Sequence, residues 1–157
     1  MNSKLNILLT CEDTLMASQG KLRKELNSLI FVTQDMLPCF PRQQKTKKHL
    51  MQCNALAKQA RQTLLTICCI DDFSELQRVS QDVSLWTTDL LDPCRNLTLA
   101  RWQHKRHSRP KHYALRFLEC ALWTLHLRAM AVCSAIGDVT DAQNAYEAAK
   151  QQSEAAA

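Results

Sequence analysis

The stretch Lys4–Leu37, KLNILLTCEDTLMASQGKLRKELNSLIFVTQDML, decides the fold class. Leu8, Leu15, Leu22, Leu29 and Met36 recur every seven residues, and Leu9, Met16, Ile30 and Leu37 stand beside them. Leu5 and Leu26 complete the stripe. Apolar residues returning at three- and four-residue steps fall on one side of a helix that turns once per 3.6 residues. The spacing therefore predicts one long helix over about Lys4–Asp35 with a single wide buried face. Asn2 and Ser3 can cap its first free N–H groups. Pro38 and Pro41 stop it.

The rest of the chain reads the same way. Only two glycines, Gly20 and Gly137, occur in 157 residues. Sheets need tight turns and tight turns need glycine, so few turns and long helices are expected. No phosphate-cradling loop or dinucleotide fingerprint can be written with two glycines so placed. A second helix is predicted over about Gln44–Ile70, from the stripe Leu50, Cys53, Ala57, Ala60, Leu64 and Ile67/Cys68. A third starts at Asp72, where Asp72-Phe73-Ser74-Glu75 resembles a capping box. It carries Leu76, Val79, Val83, Trp86 and Leu90, and is expected to end at Asp92-Pro93. A short helix follows over about Asn96–His104, then a polar break punctuated by Pro110.

The next helix is predicted over Lys111–Ile136. Ala114, Phe117, Ala121, Leu125, Ala129, Val132 and Ile136 share one face, and Trp123, Leu127, Met130 and Cys133 make another side apolar. That marks it as the central, most buried helix. It is long enough for a membrane span, but Arg116, Glu119, His126 and Arg128 argue against one. Gly137 reads as its C′ residue. Thr140 or Asp141 caps a last short helix ending near Gln152. The expectation is an all-α, antiparallel helical bundle of four main helices plus one or two short ones. It forms a single domain over 1–152, with a frayed tail at 153–157.

Charge is laid out in blocks. From Met36 to Ile70 there is no acid but six bases, and from Pro93 to Leu118 no acid but seven. Between them, Asp71–Asp92 holds six acids and one base. The segment Arg101–Arg116 interleaves Trp102 and Tyr113 with six bases and three histidines. Lysine and arginine neutralise phosphates and aromatic faces stack bases, so this mixture suits nucleic acid. The candidate contacts are Arg101, Trp102, Lys105, Arg106, Arg109, Lys111 and Tyr113. The run Lys45-Thr46-Lys47-Lys48-His49 adds Lys45, Lys47 and Lys48 if the two segments meet. A solvated loop with no ligand fits the same residues.

Other chemistry finds little footing. The eight cysteines form no C-x-x-C pair, and His104, His107 and His112 sit among cations that repel a metal. Cys120 and His126 have no catalytic spacing, and the Cys68-Cys69 pair reads as two thiols at a helix end. No enzyme, cofactor or metal site is expected. The start, MNSKLNILLTCEDTL, has too short an apolar stretch and too early an acid for a signal peptide. Reduced thiols in the cytoplasm are expected, with a disulfide-linked secreted bundle as the alternative.

Phe40, then Leu50, Cys53, Ala57 and Leu64, then Ala100-Arg101-Trp102-Gln103 with Lys105 and Arg106, carry a resemblance to the bacterial primosomal replication protein N″ (PriC) family. Tyr113 and Leu118 match the start of that family's C-terminal helices. The resemblance covers roughly residues 40–118. It implies single-stranded DNA binding and contact with the single-stranded-DNA-binding protein during replication restart. The apolar helix after Lys111, the Ala/Gln-rich tail and the short spacer before Trp102 depart from the family's pattern. Two functions are thus in play. One is a nucleic-acid-binding accessory protein associated with DNA replication. The other is a protein–protein adaptor or chaperone, or a homodimer, using apolar helix faces and the acidic helix.

Overall fold

A computed structural model describes residues 2–67, 73–103 and 109–157, with the backbone alone at 101–103 and 109. Its elements are α1 (Asn2–Met36), a 3₁₀ turn (Leu37–Cys39), α2 (Gln44–Thr66), α3 (Ser74–Gln103) and α4 (Arg109–Ala155). No strand occurs among the described residues, and the four helices pack against one another. The all-α expectation holds.

The heptad stripe of α1 faces the core as expected. Leu15, Leu22, Leu29 and Met36 are buried with Leu26 and Ile30, and Leu8 is half-buried. The flanking Leu5, Leu9 and Met16 are exposed, so the buried face is narrower than the sequence implied toward the helix start. On α2, Leu50, Cys53, Ala57, Ala60 and Leu64 are buried as read, and on α3 so are Leu76, Val79, Val83 and Leu90. The expected cap at Asp72 lies outside the described residues; α2 ends at Thr66, short of the expected Ile70, because Ile67 already has an extended backbone. The start of α2, whose clustered lysines oppose the helix dipole, is firmly seated: Thr46 and His49 are buried while Lys45 and Lys48 face solvent.

Two expected breaks are absent. The helix α3 runs through Pro93 to Gln103, merging the predicted third and short helices. Proline removes one N–H and crowds the preceding turn. Here Leu90, Leu91, Cys94 and Thr98 are all buried around it, and that packing outweighs the local penalty. Likewise α4 continues unbroken through Gly137, which has an ordinary negative φ and is no C′ residue. Glycine costs a helix interior about 1 kcal/mol. Burial of Ala135, Ile136, Val139 and Ala142 on either side exceeds that cost.

The buried face of α4 is the expected one at Leu125, Ala129, Val132 and Ile136, and differs from it before Leu125. Leu115, Leu118, Leu122, Leu125, Ala129 and Val132 are fully buried, while Phe117 is 61% exposed. Trp123, Leu127 and Met130 are exposed as well, so α4 is not buried all round.

Contacts fix how the helices lie. Asn54 Nδ2 on α2 donates to the Ile30 carbonyl at 3.2 Å and to Thr33 Oγ1 at 2.9 Å, while Arg61 donates to Asn27 Oδ1 at 3.2 Å. Between α3 and α4, the Cys94 thiol meets the Leu115 carbonyl at 3.6 Å, and His126 Nδ1 donates to the Ser84 carbonyl at 3.0 Å. Lys4 Nζ reaches the Ala145 carbonyl at 3.5 Å, joining the start of α1 to the last part of α4. No side chain before Leu15 on α1 or after Ala142 on α4 is fully buried.

Burial sets the reactivity of the thiols. It pushes Cys53 and Cys94 up to about 12, so both stay protonated at neutral pH. Cys39 and Cys120 are exposed. A thiol-disulfide dye should therefore label Cys39 and Cys120 in the native protein, and Cys53 and Cys94 only after denaturant; early labelling of Cys53, located by peptide mass mapping, would contradict this core. Burial also holds His49 below its ordinary value of 6.5. The unfolded chain then takes up this proton first as pH falls. Stability should be full above about pH 6.5 and decline below it. Urea midpoints measured from pH 7.5 to 5 should fall less steeply in His49→Gln than in the parent.

Candidate nucleic-acid interface

The two basic segments meet. The 3₁₀ turn after α1 leads through Phe40, fully buried, to the start of α2. Lys111, in the first turn of α4, sets its ammonium 5.7 Å from the centre of the Phe40 ring, a cation–π contact across the two segments. On the neighbouring side, Lys45 and Lys48 line a groove of about 450 Å³ with His49, Pro93, Asn96 and Ala100. The start of α2, the last part of α3 and the start of α4 therefore share one end of the molecule.

Alternation on α2 aims the charges. Positions 46, 49 and 50 bury, so 45 and 48 project outward three residues apart on one face, and Lys47 is half-buried at the edge. Among the described residues, Lys45, Lys47, Lys48 and Lys111 form no ion pair. Arg95 and Arg116 differ. Both hold Glu119, at 3.0 and 3.1 Å, and Arg95 also approaches Asp92 at 3.7 Å. Half of each arginine is solvent-exposed, so these pairs are weak fixtures. Tyr113, two residues on from Lys111 and on a different face of α4, is 67% exposed and edge-on to His112, with ring centres 6.0 Å apart.

Of the ten residues singled out from sequence, Lys45, Lys47, Lys48, Lys111 and Tyr113 thus fall at this end. Arg101 and Trp102 belong to the last turn of α3, and Arg109 opens α4. Lys105 and Arg106 lie outside the described residues. Sequence reading did not single out His49 and Asn96 as lining residues, nor Phe40 as the seat of Lys111. Their only signal was helical spacing, which does not say which helices are neighbours.

Elsewhere, charge on α3 pairs locally: Arg78 bridges Glu75 and Asp82 along its own helix. Beside them α2 and α3 frame a groove of about 330 Å³ with Trp86 and Asp89 on its wall. No group of three or more metal-ligating side chains occurs among the described residues. By length and composition alone, α4 is apolar enough to cross a membrane, with a mean hydropathy of 1.3 in its most apolar stretch; a core helix of a soluble protein passes the same test. No family model matches the chain, and neither a curated protein nor a solved structure matches it.

Proposed function

We propose that this chain is a non-enzymatic helical accessory protein that grips a nucleic-acid backbone at the basic end of an antiparallel four-helix bundle. One observation carries the reading: Lys45 and Lys48 of α2 and Lys111 of α4 converge on one end although 63 residues of chain separate Lys48 from Lys111. Ammonium groups without carboxylate partners are free to displace counterions from phosphates. Tyr113, exposed on another face of the same turn of α4, offers a ring on which a base can stack. Arg101, Trp102, Lys105, Arg106 and Arg109 belong to the same basic segment as Lys111 and would extend the contact.

Stacking requires unpaired bases, which favours single strands over duplex. The resemblance to the primosomal replication protein N″ family points the same way, toward single-stranded DNA in replication. Exposed thiols at Cys39 and Cys120 fit a reducing compartment such as the cytoplasm. A protein-binding adaptor is the second reading, supported by the apolar exposed side chains of α4.

Anisotropy of labelled single- and double-stranded oligonucleotides, titrated at several salt concentrations, tests the proposal. Binding should fall steeply with salt. Replacing Lys45, Lys48 and Lys111 with alanine should lower the slope of log K against log salt by about 2, at roughly 0.7 per phosphate for a single strand. Tyr113→Ala should weaken single-strand binding about tenfold and leave the slope unchanged. Absence of binding at low salt, where a basic surface binds best, rejects the proposal and leaves the adaptor.

A further inference from the structure

The outward side of α4 carries a pattern of its own. Cys120, Trp123, Leu127, Met130, Ser134 and Gly137 are all exposed, and they follow one another at steps of 3, 4, 3, 4 and 3 residues. That is the spacing of a coiled-coil seam, laid along the side of α4 opposite its buried leucines. Arg116 lies four residues before the stripe and Asp141 four residues after it, both exposed. The seam ends in a cation at one extremity and an anion at the other.

We infer that a second copy of this chain covers this seam, with its α4 antiparallel and related by a two-fold axis level with the midpoint of Leu127 and Met130. In that register every position meets its complement. Leu127 faces Met130, Trp123 faces Ser134, and Cys120 faces Gly137, so the largest side chain opposes a small one and the only glycine in the seam opposes a thiol. Arg116 of one copy faces Asp141 of the other, twice by symmetry. A parallel pairing would set Arg116 on Arg116 and Trp123 on Trp123. Sliding by one heptad one way leaves both charges without an opposite partner; sliding the other way turns Arg116 onto Ser134, sets Asp141 against Arg109 and parts Leu127 from Met130. Arg116 gives up only an exposed pair to Glu119, which keeps Arg95. Leu85 of α3, 64% exposed, flanks Met130 across a shallow groove and widens the apolar strip.

From Arg116 to Asp141 the seam is about 37 Å long at 1.5 Å per residue, and about 10 Å wide. Some 400 Å² per copy is half the usual figure for a stable complex, so the dimer is reversible and concentration-dependent. It does not depend on nucleic-acid binding.

Gly137→Cys gives a direct test. A side chain added at Gly137 meets nothing within 4 Å in the single copy, so the substitution leaves the fold unstrained. Mild oxidation with oxidised glutathione should produce a disulfide dimer linking position 120 of one copy to position 137 of the other, identified by peptide mass spectrometry. Adding Cys120→Ser should abolish that link. In sedimentation velocity without oxidant, the parent should pass from monomer to dimer with rising concentration. Arg116→Asp should weaken the dimer about tenfold, and Arg116→Asp with Asp141→Arg should restore it. A parent that remains monomeric up to about 1 mM, the range of a weak, transient pairing, overturns the inference. So does a link to any other cysteine as the main product. Flotation of such a monomer with anionic phospholipid vesicles would also overturn it, assigning the stripe to a lipid surface.

Discussion

Leu115, Leu118, Leu122 and Leu125 are wholly buried along one side of α4, and both α1 and α3 lie against that helix. Each fully buried leucine contributes on the order of 2 kcal/mol of apolar transfer. This row fixes the rotation of α4 about its axis. Once those leucines point inward, Phe117, Trp123, Leu127 and Met130 point out, and Lys111 arrives over Phe40. The place of Lys111 at the basic end and the apolar outer stripe are both set by that one rotation.

The long heptad of α1 was legible because five positions repeat it, though the neighbouring row of Leu9 and Met16 made its buried face look wider than it is. On α4 several apolar stripes coexist, and Phe117 was assigned to the wrong one. Periodicity identifies a helix but does not choose among rival faces when most residues are apolar. Pro93 and Gly137 misled for a different reason. Each is a local penalty of a few kcal/mol or less, whereas the decision to continue the helix is made by tertiary packing such as that of Leu91, Cys94 and Val139.

The basic segments were visible as runs without acids, yet their meeting was not. Lys48 and Lys111 fall at the same end because α2, α3 and α4 bring particular ends side by side, and no local spacing encodes that. The seating of Lys111 on a buried Phe40 is likewise a product of packing. What the sequence could carry was the chemistry of the candidates, their type and sign; what it could not carry was their distances.

The contact of Lys4 with Ala145 brings the start of α1 beside the last turns of α4. Six acids, Glu12 and Asp13 on the one and Asp138, Asp141, Glu147 and Glu154 on the other, thereby outnumber Lys4 and Lys150 at the end far from Lys45, Lys48 and Lys111. The molecule is a rod of about 70 Å, the length of α4 at 1.5 Å per residue, with a lasting electric dipole moment along its axis. In the field of any extended polyanion such a charge distribution exerts a torque on the rod at a distance, a bias on orientation that acts during diffusion.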